Sequence, residues 1–147
     1  MIDFNEIPEW WPLCPGYECE QKGECLRYAA FRQAPARLTC WKCVLPCTHG
    51  ENGCPYYQKA EKTVIARGFS QIYNQIDSRD GRYNFREVLT NYFGSKGSYY
   101  RYKDGVKPLN AEHQQKIRSV LQRYAPDVEA VFDETEMTYD FTRITKR

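Results

Sequence analysis

Histidine and methionine are scarce in this sequence, with two of each among 147 residues. Of the two histidines, His113 falls in the first turn of an expected helix with no nucleophile beside it, so it reads as a surface residue and not a general base. His49 reads as a spare metal ligand. Long apolar runs are missing as well. No stretch approaches the ~20 apolar residues that a membrane-spanning helix requires, so no membrane association is expected. The opening Met1-Ile2-Asp3-Phe4-Asn5-Glu6-Ile7-Pro8 has neither a basic start nor an apolar core. It is not read as a secretory signal, and the chain is read as cytoplasmic.

Several catalytic and ligand-binding patterns also fail. Gly94-Ser-Lys-Gly-Ser98 lacks the Gly-x4-Gly-Lys order of a phosphate-binding loop, and no apolar strand leads into it. Asp80-Gly81 followed by Glu87 imitates a calcium loop, but its first ligand would be Ile76, which has no oxygen to offer. Asp133, Glu134 and Glu136 read as a solvated acidic run and not as a paired acid and base. No internal repeat is present, and no small-molecule substrate can be identified. Whether the chain is an enzyme stays open, with the reading leaning to no.

What the chain does have is cysteine, and all of it early. Seven cysteines stand at positions 14, 19, 25, 40, 43, 47 and 54. In a reducing compartment such a cluster favours thiolate ligation over disulfides, and an odd number cannot pair completely. Residues 1–57 also carry Pro8, Pro12, Pro15, Pro35, Pro46 and Pro55, so they read as loops and turns around a scaffold that backbone pattern alone does not supply. One short helical patch lies near Glu24 to Gln33, with Leu26, Ala29, Ala30 and Phe31 on a face and Pro35 ending it.

Two ligand sets are open. One is Cys14, Cys19 and Cys25 completed by Cys54. The other is Cys40, Cys43 and Cys47 completed by Cys54 or His49. Four sulfurs around Zn2+ would substitute for the hydrophobic core that so short a segment cannot easily build, with Trp10, Trp11 and Trp41 packed over the ion. A 4Fe-4S cluster is the alternative cofactor, since four thiolates suit both. Buried, inert thiols are the plain reading for Cys40 and Cys47. A low-pKa thiol among Cys40, Cys43 and Cys47 is the form that enzymatic or redox chemistry would take.

Trp11-Pro-Leu-Cys14, Glu18-Cys19, Gly23-Glu-Cys25-Leu-Arg27, Cys43-Val-Leu-Pro46, Cys54-Pro-Tyr-Tyr57, Ala66-Arg-Gly-Phe69, Tyr92-Phe-Gly-Ser-Lys-Gly-Ser-Tyr-Tyr-Arg-Tyr102 and Tyr139-Asp-Phe141 run through most of the chain. Together they resemble an uncharacterised family of small cysteine-containing proteins from Bacteroidetes. The resemblance implies a shared fold and no established activity. It further implies that the positions of Cys14, Cys19, Cys25 and Cys54, sometimes with Cys43, are the family's cysteines. Cys40 and Cys47 look like additions. That favours the first ligand set.

Past residue 57 the pattern turns periodic. Ala60, Val64, Ile65, Phe69, Ile72, Tyr73 and Ile76 recur at three- and four-residue steps, which predicts a helix from about Gln58 to Ile76 despite Gly68. Phe85, Val88, Leu89, Tyr92 and Phe93 form a second stripe closed by Gly94. Ser98 is expected to cap a short helix over Tyr99–Lys103, and Asn110 a longer one carrying Ile117, Val120, Leu121 and Tyr124. Residues beyond Pro126 are ambiguous between strands and a docking arm.

Charge is unevenly laid out. From Lys62 to Pro126 twelve Lys/Arg face five Asp/Glu, a net +7, and from Asp127 to Phe141 six acids face no base. A basic helical region suits a polyanion, or simply packs against the acidic segment. Arg86 to Gly105 can be laid on a helix-turn-helix. The segment Gly105-Val-Lys-Pro-Leu-Asn110 resembles the loop after the recognition helix of phage-repressor-like domains. Thr90, Ser95 and Lys103 depart from that pattern, as does the extra glycine in Gly94-Ser-Lys-Gly97. On this reading Lys96 and Ser98 meet phosphate, while Tyr99, Tyr100, Arg101 and Lys103 face a groove or stack on bases.

The expectation is therefore a mainly α protein. A Cys-rich, metal-stabilised module spans 1–57, a basic region of three to four helices spans 58–126, and an acidic arm over 127–147 packs on the helices. Its expected function is that of a non-enzymatic, zinc-stabilised binding protein whose partner is nucleic acid or another protein. An iron–sulfur or thiol-based redox protein is the alternative.

Overall fold

A computed structural model describes residues 1–46 and 53–145. Cys47 and His49, both candidate ligands, lie outside the described residues. The fold is mainly helical with one two-stranded sheet, and it divides into two compact units, Met1–Lys62 with Tyr139–Arg147, and Thr63–Thr138. The segment after residue 126 is thus not one arm. Residues 127–138 stay with the helices, and the chain from Tyr139 onward belongs to the first unit.

The first unit is mostly irregular, as its prolines dictate. Two single-turn 3-10 helices, Phe4–Glu6 and Lys22–Glu24, precede α1 (Leu26–Arg32). Within α1 Leu26 and Ala30 are buried, whereas Phe31 points out to solvent, so the apolar stripe is narrower than expected. Isolated bridges do what a sheet would otherwise do. Leu13 pairs with Cys43 and Cys25 with Lys59. A modest cluster of Ile2, Ile7, Trp11, Leu13, Leu26, Ala30 and Phe141 fills the interior, with the Phe141 ring edge-on to Trp11 at 5.0 Å.

The second unit corrects the helix predicted over 58–76. Thr63–Arg67 is a strand, β1, and only Ser70–Asn74 is helical, α2. Val64 and Ile65 are β-branched and favour the extended backbone. Val64 is 41% exposed while Ile65 and Ala66 are buried, so the three- and four-residue spacing was a coincidence of a strand followed by a helix. Gly68 divides the two. Its φ is +78°, and a Cβ there would stand 2.5 Å from an Asp133 carboxylate oxygen. That carboxylate accepts hydrogen bonds from Ser70 N at 3.0 Å and Gln71 N at 3.1 Å, supplying α2 with the cap its own sequence lacks.

The remaining helices are α3 (Arg79–Phe93), α4 (Lys96–Lys103) and α5 (Ala111–Tyr124), followed by β2 (Glu134–Thr138). β2 runs antiparallel to β1, with Val64 opposite Met137 and Ala66 opposite Thr135. Each long helix starts on a side-chain cap: Ser78 Oγ accepts from Gly81 N for α3, and Asn110 Oδ1 from His113 N for α5. Gly94 ends α3 in the left-handed region, as predicted. His113 completes a reciprocal cap, its Nδ1 accepting from Asn110 N at 3.3 Å, and so has a structural duty. Phe69 sits at the middle of the core, edge-on to Phe85 at 6.0 Å and Tyr99 at 5.6 Å and stacked on Phe93 at 6.5 Å.

Candidate metal centre

Four of the seven cysteines converge although they come from three separate segments. Cys14 and Cys19 lie on one turn, Cys25 leads into α1, and Cys54 precedes a segment that docks beside Cys25. The first turn is tight: Cys19 N donates to Gly16 O at 2.9 Å. Gly16 has φ +90°, and a Cβ there would sit 2.7 Å from the Tyr28 ring, so only glycine fits. The second approach is held by backbone pairing, with Leu26 N donating to Gln58 O at 2.6 Å and Ala60 N to Glu24 O at 2.8 Å. These contacts carry Cys54 to the same place as Cys25.

Cys14, Cys19, Cys25 and Cys54 line one cavity, together with Arg27, Tyr28, Val44, Tyr56 and Tyr57. Its interior of about 20 Å³ has room for one water-sized body. Tyrosines and Val44 wall it in place of the expected tryptophans. Trp10 is exposed, Trp11 is buried on the far side of Arg27, and Trp41 packs on Phe4 at 4.9 Å. Gly16 N donates to Cys14 Sγ at 3.4 Å, the kind of backbone bond that favours a thiolate. Burial acts the other way and is the larger influence, pushing the Cys14 thiol up, with Cys25, Cys19 and Cys54 adding to the rise.

None of the described cysteines forms a disulfide. Among the described residues no group of three or more His, Cys, Asp or Glu side chains is arranged so as to hold a metal ion as it stands. The four sulfurs share a cavity without being gathered at bonding distance. Cysteine χ1 rotamers move the sulfur while the backbone stays. The second ligand set fares differently. Cys40 and Cys43 are both exposed and line no part of this cavity. The Cys43 thiol is raised, by partial desolvation first and by Cys40 second, which is the wrong direction for a ready nucleophile.

Arg27 is the residue that sequence reading passed over. It is 1% exposed. Its guanidinium lies 4.3 Å from the Trp11 ring centre and donates Nε to Tyr56 O at 2.6 Å and one terminal nitrogen to Pro12 O at 2.8 Å. The other terminal nitrogen donates to Arg143 O at 3.1 Å and to Ile144 O. Burial lowers its pKa to about 10, opposed by the neighbouring Cys25, Cys54, Tyr56 and Cys14. It closes the Gly23-Glu-Cys25-Leu-Arg27 motif, but nothing in that motif marked it as buried, because an arginine on a short helix normally faces water.

The residues expected to meet nucleic acid lie on α4. Ser95, not Ser98, is its cap, its Oγ accepting from Ser98 N at 3.1 Å, so the helix begins at Lys96. That start sets the phase. Tyr99 faces inward at 1% exposure and packs on Phe69, so it cannot face a groove. Ser98 is half-buried, and the Lys103 side chain, 19% exposed, has its ammonium 5.4 Å from Tyr73 and 5.3 Å from Tyr100. Lys96, Tyr100 and Arg101 do face solvent. On α3, Arg82 and Tyr83 are exposed as well, two residues that the sequence pattern did not flag.

A family model, the family of unknown function DUF6078, matches residues 1–141. The chain belongs to that family. No curated protein and no solved structure matches it. Among the described residues no helix is long and apolar enough to cross a membrane.

Proposed function

We propose that this chain is a non-enzymatic binding protein of a reducing, cytoplasmic setting, whose first unit is fixed by one zinc ion on Cys14, Cys19, Cys25 and Cys54. The observation that carries the reading is the convergence of four thiols, from distant points in the sequence, on a single cavity sized for one small body. Four cysteine sulfurs are a common ligand set of structural zinc. Structural zinc sites take four cysteines, and the cysteine spacing matches no ferredoxin-type run, which favours a single ion over the redox alternative.

Elemental analysis of the purified chain tests it. One zinc per chain is expected, lost in Cys25→Ser and retained in Cys40→Ser and Cys43→Ser. A chain that carries neither zinc nor iron and takes up no added zinc would refute the reading. Iron with visible absorbance would replace it by the redox one.

For the second unit we propose nucleic acid as the partner, met by Lys96, Tyr100 and Arg101 of α4 with Arg82 and Tyr83 of α3. Exposed rings, Tyr83 and Tyr100, standing among the exposed cations of α3 and α4 support this. Lys96→Ala with Arg101→Ala is expected to weaken binding to oligonucleotides and to flatten its dependence on salt. If the unaltered protein shows no salt-sensitive binding to duplex or single strands, the unit is a protein-interaction module instead.

A further inference from the structure

We propose that Arg27 is the built-in countercharge of the four-cysteine centre, balancing the anionic sulfur set formed when Cys14, Cys19, Cys25 and Cys54 close on a metal ion. The inference rests on the metal reading above and adds a partner to it. Every hydrogen-bond acceptor that Arg27 reaches is a neutral backbone carbonyl: Pro12, Tyr56, Arg143 and Ile144. Trp11 and Tyr56 offer ring faces, at 4.3 and 5.7 Å. Among the described residues no carboxylate forms an ion pair with it.

Carbonyls satisfy the donors of a guanidinium but leave its charge uncompensated. A guanidinium is protonated in any folded protein, and a charge taken out of water is costly unless an opposite charge lies near. Asp140, which lines a neighbouring cavity with Arg27, is paired to Arg143 at 3.6 Å, and the sulfurs that share the four-cysteine cavity wall with Arg27 can supply that charge. Metal ligation requires them as thiolates. Four thiolates on a divalent ion make a dianion, whereas three thiolates and a neutral imidazole make only a monoanion. Two buried opposite charges then relieve each other, and Arg27 favours an all-sulfur ligand set over one containing histidine. A plainer role, Arg27 as a hydrogen-bonded tie between segments, depends on the fork of donors and not on the charge.

The two roles separate by substitution in the full chain. Zinc affinity is measured by competition with a chromophoric chelator for the unaltered protein, Arg27→Lys and Arg27→Gln, each also combined with Cys19→His. Arg27→Gln keeps donors and loses charge, and is expected to weaken zinc binding by about tenfold or more, within the span typical for partners of metal ligands. Arg27→Lys keeps the charge and is expected to stay within about threefold. Cys19→His removes one negative charge from the centre, so its cost in affinity should be clearly smaller in the Arg27→Gln background than in the unaltered one.

Equal loss in Arg27→Lys and Arg27→Gln, or failure of both to fold, would overturn the proposal in favour of the tie. So would an equal cost of Cys19→His in both backgrounds. Failure of Arg27→Gln to fold where Arg27→Lys folds supports it. An unaltered protein that takes up no zinc removes the metal reading and this inference with it, whereas normal zinc uptake with no difference between the Arg27 variants removes only the inference.

Discussion

The two units solve the same problem with different materials. In Thr63–Thr138 a cluster running from Ala66 and Phe69 through Phe85, Leu89 and Tyr99 to Ile117, Leu121 and Phe132 is almost wholly withdrawn from water. Burying each such side chain stabilises by roughly 1.5–3 kcal/mol, and regular helices with side-chain caps satisfy the backbone. In the other unit the buried set is smaller and includes a guanidinium, and backbone groups pair mostly in turns and single bridges. Apolar packing suffices for the first of these. For the second, the proposed ion would supply what packing does not.

Four experiments would break or sharpen that contrast. The largest effect is expected from a chelator. Hydrogen exchange followed by mass spectrometry should show protection lost across residues 1–62 and kept in α3 and α5. Uniform retention in both would break the contrast outright. Leu89→Ala, in the core of the second unit, should lower stability by about 2–5 kcal/mol in denaturant unfolding, with zinc content unchanged. A small loss would mean that this core is looser than its burial indicates.

Gly68→Ala comes next. It meets both a positive φ and the Asp133 carboxylate at 2.5 Å, and should cost about 1–3 kcal/mol by the same measurement. Asn110→Ala, which removes the reciprocal cap with His113, should cost about 1 kcal/mol. Were Asn110→Ala the more damaging of the two, the turn between β1 and α2 would be softer than its geometry suggests.

How legible this was in the sequence depended on the element. α5 could be read because periodicity, cap and stop agreed, with Asn110 and Pro126 bracketing it, whereas α3 showed its stripe and its Gly94 stop but not its Ser78 cap. The stretch from Gln58 to Ile76 could not. A strand of Val64, Ile65 and Ala66 followed by α2 imitates a helical stripe, and its pairing partner lies some seventy residues further on, at Met137 and Glu136. On α4 the cap lies three residues earlier than expected, and Tyr99, read as a contact residue, is core, since one helical residue advances the face by a large angle. The convergence of Cys14, Cys19, Cys25 and Cys54 was anticipated from the family resemblance more than from spacing, which matched no signature. Arg27 was invisible, because nothing in a sequence distinguishes a buried arginine from a solvated one.

The chain enters the first unit, leaves it at Lys62 and comes back at Tyr139. During synthesis, therefore, Trp11 must wait for its ring partner Phe141, and Arg27 for the carbonyls of Arg143 and Ile144, until more than a hundred further residues have been made. A fragment ending at residue 62 lacks one wall of its own interior, and removing the segment from Tyr139 onward is expected to injure the first unit before it injures the second.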